Sequence, residues 1–226
     1  MAVEEFLMNT HFTALSITTG QRWVALHNDN GEGGQGTVDN GNADNDGEIS
    51  DDFLQLGDLE TWQNTESPMQ QPDNRMVVNS EGKLYAWGRN NSGCLGLGDT
   101  TQRTSPVQVG TDTDWLEAAN TGGCCVAIKT DNTLWTWGEG SAGALGHGNT
   151  TSLSSPVQVG TDTDWAHGLP TGINHDFQVA MKTDGGIYYS GTGAGGLSNV
   201  SSFTQIGSEE GFKDAIMIGT GVVAFK

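Results

Sequence analysis

Residues Asn42-Ala43-Asp44-Asn45-Asp46-Gly47-Glu48-Ile49 place oxygen donors at alternate positions, with a glycine for a sharp turn and an apolar residue after it. That spacing is how a Ca²⁺ loop begins. Asn42, Asp44 and Asp46 would be ligands. Asp52, or its neighbour Asp51, would stand in for the bidentate carboxylate that Phe53 at the twelfth position cannot supply. The competing reading is a solvated acidic loop, since residues 1–62 hold 12 Asp and Glu against one Arg. Other chemistry-bearing residues form no known constellation. The histidines His11, His27, His147, His167 and His175 lack the close spacings of a zinc or metalloprotease helix. The Gly-rich piece Gly191 to Gly196 has no following helix and no P-loop lysine to cradle a phosphate. Ser105 and Ser155 precede prolines, outside any nucleophile-elbow context. Asp112 and Asp114 recur as Asp162 and Asp164, which suits a structural turn better than a unique acid–base pair. The expectation is a non-enzyme with no cofactor, Ca²⁺ being the open exception.

Charge narrows the partners. Nine Lys and Arg against 28 Asp and Glu give a net charge of −19, which repels phosphate backbones and anionic membrane surfaces. Nucleic acid and membrane are therefore not expected partners. Two glutamates stand near the N-terminus where a signal peptide needs basic residues, and no apolar run reaches membrane-spanning length. Synthesis in a cytoplasm without classical export is expected. Cys94, Cys124 and Cys125 make no even-numbered disulfide framework, and the adjacent pair would point to opposite faces of a strand, so they read as buried thiols.

The elements that position these residues repeat. Ser105 to Trp115 reads SPVQVGTDTDW, and the same eleven residues return at Ser155 to Trp165, 50 residues on. LYAWG (Leu84 to Gly88) matches LWTWG (Leu134 to Gly138), and GCLGLG (Gly93 to Gly98) matches GALGHG (Gly143 to Gly148). IYYSG at Ile187 and FTQIG at Phe203 are a weaker third copy, and FLQLGDLETW from Phe53 to Trp62 is an earlier trace. A short apolar strand recurs as VALH, MVVN, VAIK, VAMK and VAFK, from Val24, Met76, Val126, Val179 and Val223. Continuous apolar runs this short suit strands covered on both faces, while LYAW and LWTW alternate like half-covered ones. Glu81-Gly82, Asn132-Thr133 and Asp184-Gly185 supply hairpin turns, where Gly, Asn and Asp accept positive φ. Strand, hairpin, strand, Gly-rich loop and Pro-initiated strand, about every 50 residues, is the grammar of a propeller blade.

Those motifs carry a resemblance. The segments GKLYAWGRNNSGCLGLGDTTQRTSPVQVG and NTLWTWGEGSAGALGHGNTTSLSSPVQVG resemble the repeat of the RCC1 family, strongly from Met76 to Trp165 and fading to Phe212. The resemblance implies an all-β, RCC1-like partial β-propeller of about four to five blades, with a divergent N-terminal blade or docking module. It also implies an interaction platform. The founding family activity, nucleotide exchange on a small GTPase, uses a charged surface that this acidic chain does not offer. A second likeness covers Phe12 to Val38, which is similar to a segment of small tailed-phage virion proteins with a W-x-A-L-H strand and an acidic Gly-rich turn; the Asp-Pro and Tyr-x-Arg of that pattern are absent.

Together these give an expected division into residues 1–62 and repeats at 63–115, 116–165, 166–212 and 213–226, the last a half-repeat. The expected function is a structural protein of a phage virion, made in the host cytoplasm, decorating the particle or forming a fibre beside other virion proteins or its own copies. The alternative is a binding module for a protein or a host-surface glycan. Tyr85, Trp87, Trp135, Trp137, Tyr188 and Tyr189 are expected at two repeated positions, packed between blades, with alternation separating Trp135 from Trp137. Ile216, Ile218, Val223 and Phe225 are expected on an open edge. That edge would be covered by a neighbour in a homo-oligomer, or latched by the returning Phe53 to Trp62 segment.

Overall fold

A computed structural model describes residues 74–120, 123–169, 177–192, 197–218 and 221–226, with three short strands at 12–15, 22–25 and 54–55. The chain is all-β. Its N-terminal sheet joins β1 (Phe12–Leu15), β2 (Arg22–Ala25) and β3 (Leu54–Gln55) in sequence order. Blade I holds β4 (Asn74–Val78), β5 (Leu84–Gly88) and β6 (Arg103–Gln108). Blade II holds β7 (Trp115–Asn120), β8 (Cys124–Lys129), β9 (Leu134–Gly138) and β10 (Leu153–Gln158). Blade III repeats it with β11 (Trp165–Leu169), β12 (Phe177–Lys182), β13 (Ile187–Gly191) and β14 (Val200–Gln205). A hairpin of β15 (Asp214–Ile218) and β16 (Gly221–Phe225) ends the described chain. Every pairing is antiparallel between consecutive strands, so each sheet is a meander, the topology of a propeller blade.

Hairpin chemistry sets this register. Gly82, Asn132 and Gly185 have φ of 73°, 62° and 85° at equivalent turn positions. Glycine takes that conformation freely, and asparagine or aspartate more readily than other residues. Asn132 also donates from Nδ2 to the Trp165 carbonyl at 2.7 Å, tying its turn to the strand that opens blade III.

The core lies between blades. On β8 and β9, Cys125, Ala127 and Trp137, with Trp135 packed beside them, face Met76, Leu84, Ala86 and Leu95 of blade I. Val126, Ile128 and Leu134 face Ala180 of blade III, with Tyr188 and Phe203 against them. Val179, Met181, Ile187 and Tyr189 face Ala215, Val222 and Ala224 of the terminal hairpin. LWTWG is thus covered on both faces rather than half-covered, because a blade stacks on each side of it. Trp135 and Trp137 share one face, as residues two apart on a strand must, and do not lie on opposite sides. Cys124 and Cys125 do point apart, into separate clusters.

The N-terminal sheet has a blade's register. Gln108, Gln158 and Gln205 pair with Tyr85, Trp135 and Tyr188, and Gln55 pairs in the same way with Trp23. By register β2 is therefore the counterpart of β9, and β1 of β8. Val24-Ala25 was expected to be the short apolar strand and instead takes the middle-strand place. Leu54-Gln55 pairs with Val24 and Trp23, not with the terminal hairpin.

Candidate functional site

Two repeated devices join the blades, and a groove opens where they meet. The first device centres on the lysine that closes three of the apolar strands, VAIK, VAMK and VAFK. Lys129 Nζ lies 2.6 Å from Asp112 Oδ2 and 3.0 Å from Asp114 Oδ1. It also sits 4.8 and 4.7 Å from the ring centroids of Trp115 and Trp135. Lys182 repeats the arrangement with Asp162 at 2.6 Å, Asp164 at 3.0 Å, Trp165 at 5.0 Å and Tyr188 at 5.2 Å. Burial works against each charged ammonium, but the hydrogen bonds it donates to the paired aspartates outweigh it and hold both lysine pKa values above the ordinary range. Lys226 makes an exposed version, 2.9 Å from Glu209 and 5.0 Å from the Phe212 ring. Each lysine anchors the segment that crosses from one blade to the next. The sequence contained this signal, since every V-A-x-K strand follows an acidic turn ending in an aromatic residue.

The second device is the G-x-L-G loop, which reaches forward to the next blade. Gly98 N–H donates to the Ser154 carbonyl at 2.7 Å, and Gly148 N–H to the Ser201 carbonyl at 2.6 Å. The loop carbonyl is met from the next blade as well. Trp137 Nε1 donates to Cys94 O at 3.0 Å, and at the equivalent place Ser190 Oγ donates to Ala144 O at 2.6 Å. Thr136 Oγ1 gives its one proton to Leu145 O at 2.7 Å, so the 2.9 Å contact with His147 Nε2 makes that nitrogen the donor. Burial holds the His147 pKa below its ordinary value. Burial also raises the Cys94 and Cys125 thiols, well above the ordinary value for Cys125, so these cysteines pack as neutral groups.

Between β6 and β10 lies an open groove of about 420 Å³. Leu97, Val107, Trp115, Trp135 and Pro156 form its apolar walls, and Arg103, Gln108, Asp112 and Ser155 its polar ones. Arg103 is turned aside by Asp99 Oδ2 at 2.7 Å. Asp112 accepts from Lys129 Nζ at Oδ2 and keeps a side chain 48% exposed.

The aromatic residues singled out from sequence occupy three strand positions rather than two. Trp135 and Trp137 lie between blades I and II, and Tyr188 between II and III. Tyr85 and Trp87 alternate with Leu84 and Ala86, and so lie on the face of blade I turned away from blade II. Tyr189 pairs with Val179 as Thr136 pairs with Val126, so it faces the terminal hairpin, and Ser190 stands where Trp137 stood. On the terminal hairpin Val223 and Phe225 are exposed, at 40% and 46%. Ile216 and Ile218 pair with Val223 and Gly221 in the backbone, and their side chains lie outside the described residues. Asn42, Asp44, Asp46 and Asp52 also lie outside them. Among the described residues no cluster of three metal-ligating side chains occurs.

Residues 81–128 and 131–167 match the family model described as Regulator of chromosome condensation (RCC1) repeat, out of phase with the sheets. The chain is similar in structure to human WBSCR16, with a TM-score of 0.67 at 19% identity over 88% of this chain and 50% of that one. It is similar to Prp20p from Saccharomyces cerevisiae, with a TM-score of 0.68 at 15% identity over 88% and 49%. It is also similar to yeast RCC1 (Prp20) in its complex with Kap60, with a TM-score of 0.65 at 16% identity over 94% and 51%. The chain thus spans about half the length of these structures, and at such identities the likeness is one of fold. No curated protein matches it in sequence.

Proposed function

From a chain that carries RCC1 repeats in an all-β partial propeller, we propose a non-enzymatic protein-binding module, whose binding surface includes the groove between blades I and II. The observation that carries this reading is the groove's place at the junction of the two matched repeats, open and walled by aromatic residues. Apolar and aromatic walls with a few polar groups at the rim are what a partner's anchoring side chain requires. Structural relatives add support. Prp20p was studied for its binding to Gsp1p and histones, and yeast RCC1 was solved bound to Kap60.

The virion role rests on residues 12–38 alone. The blade register of Trp23 and Val24 gives that stretch a second explanation within the repeat. A photo-cross-linking side chain at Leu97, with another at the exposed Leu197 between β13 and β14 as control, tests the proposal. A protein captured from Leu97 and not from Leu197, which then binds the purified chain with a measurable Kd, is the expected outcome. Binding confined to a glycan array, with no purified protein binding, would reject it in favour of glycan recognition.

A further inference from the structure

We propose that the groove between blades I and II receives an arginine side chain from a basic segment of the partner protein, an inference that rests on the binding-module reading above. The groove is open where the equivalent space at the next junction is filled. Pro156 of β10 and Phe203 of β14 occupy equivalent places, and Phe203 turns its ring onto Trp165, with centroids 5.5 Å apart. A Cβ on Gly146 would come within 2.4 Å of that ring. The junction between blades II and III is therefore filled by the blade's own aromatic residue, whereas Pro156 leaves a groove lined by the half-buried Trp135 with the buried Trp115 at its floor.

The walls suit a planar cation. Trp115 and Trp135 already hold one ammonium, that of Lys129, by the attraction of ring faces for positive charge. Lys129 engages Asp112 through Oδ2, and the Asp112 carboxylate, a lining group of the groove, keeps a half-exposed side chain at the rim. A guanidinium stacks on indole, is weakly hydrated and presents donors in a plane, so it enters such a site more readily than a second ammonium would. The rim's own cation, Arg103, is held by Asp99 Oδ2 and by the Thr101 carbonyl.

Long-range charge points the same way. The chain carries −19, and Lys83, Arg103, Lys129, Lys182 and Lys226 are each paired with a carboxylate of the chain itself. A basic segment is drawn in and an acidic one is turned away. Strand addition is the other common route for an extended peptide, but Pro106 and Pro156 remove backbone donors from both strands beside the groove. Insertion of a side chain remains.

The test uses the full chain and a fluorescent nonapeptide of glycine, serine and three arginines, beside versions with citrulline or glutamate in place of arginine. Polarisation is read at about 0.15 M salt, where charges farther apart than a Debye length are screened. The arginine peptide is expected to bind about tenfold or more tightly than its citrulline isostere, and the glutamate peptide not at all. Ser155→Trp, which blocks the exposed rim without entering the space under Gly96 that Trp137 fills, should weaken binding about tenfold while leaving circular dichroism and Tm unchanged. Pro156→Phe, which sets a ring beside Trp137, provides a second block should Ser155→Trp lower the Tm. Equal binding by citrulline and arginine peptides would overturn the inference, as would undiminished binding by a folded blocked variant. A protein partner that cross-links at Leu97 but is not displaced by the arginine peptide would sink the inference and leave the binding module standing. Absence of any protein partner would sink the binding module itself.

Discussion

Between blades I and II the aromatic ring beneath the glycine loop comes from the middle strand; between blades II and III it comes from the outer strand. Trp137 lies under Gly96, where an added Cβ would meet its Nε1 at 2.9 Å. Under Gly146 the ring is that of Phe203, and the place of Trp137 is taken by Ser190. The hydrogen bond to the loop carbonyl survives the exchange, from Trp137 Nε1 in one junction and from Ser190 Oγ in the other. What the repeat maintains is a filled volume and a satisfied carbonyl, and two residue pairs, Trp137 with Pro156 and Ser190 with Phe203, both achieve it. The open groove is a by-product of the first solution.

The comparison breaks most readily at Trp137. Replacing it with serine should cost about 3–5 kcal/mol in urea unfolding, as removal of a fully buried aromatic residue does. If the two pairs are true alternatives, adding Pro156→Phe to Trp137→Ser should recover about 1 kcal/mol or more. A double variant no more stable than the single one would show that the rings are not interchangeable.

Gly146→Ala comes next. It combines positive φ with a clash against Phe203 and should cost about 2–3 kcal/mol. Gly148→Ala has a similar φ of 77° but ordinary space around its Cβ, so it should cost only about 1 kcal/mol. Equal losses in thermal unfolding would remove Phe203 from the argument.

Lys129→Met sharpens the comparison of the cation cages. A loss of about 1–2 kcal/mol is expected, after allowance for solvent reaching the two half-exposed aspartates. Lys226→Met, on an exposed pair, should leave the Tm unchanged. Because folding raises the Lys129 pKa, its contribution is complete below the ordinary lysine value near ~10.4 and disappears as pH rises through the higher folded value. The stability gap between wild type and variant should stay constant from neutral pH to about 10 and close above it.

The smallest effect belongs to His147. Its folded pKa is depressed by burial, so its contribution is present above about 6.5 and is lost as pH falls through the lower folded value. His147→Gln should flatten that acid limb of the stability profile, and an unchanged limb would place the titration elsewhere.

Blade grammar was legible because its turns demand particular residues. Gly82, Asn132 and Gly185 mark hairpins whose backbone few other residues tolerate, and the eleven-residue identity at Ser105 and Ser155 fixes the period. The groove was not legible. Its openness depends on Pro156 and Phe203 being equivalent, and on Ser190 rather than Tyr189 matching Trp137, which only strand register decides. The same ambiguity misplaced Val24-Ala25, since apolar content alone does not separate an inner strand from the middle strand of a blade covered on both faces. Glutamine was the better marker. Gln55, Gln108, Gln158 and Gln205 each pair with the aromatic residue of their middle strand.

The forward reach of the G-x-L-G loops also gives assembly a direction. Gly98 clasps a strand that begins some fifty residues later at Leu153, and Gly148 clasps one that begins at Val200. During synthesis the earlier partner of each clasp has left the ribosome before the later one is made. A new outer strand therefore meets a waiting receptor rather than having to create one, and the lysine cage that follows secures the crossing to the next unit. The order of translation and the order of closure coincide, so the chain can be wound up from its leading end like a ratchet that advances one tooth per repeat.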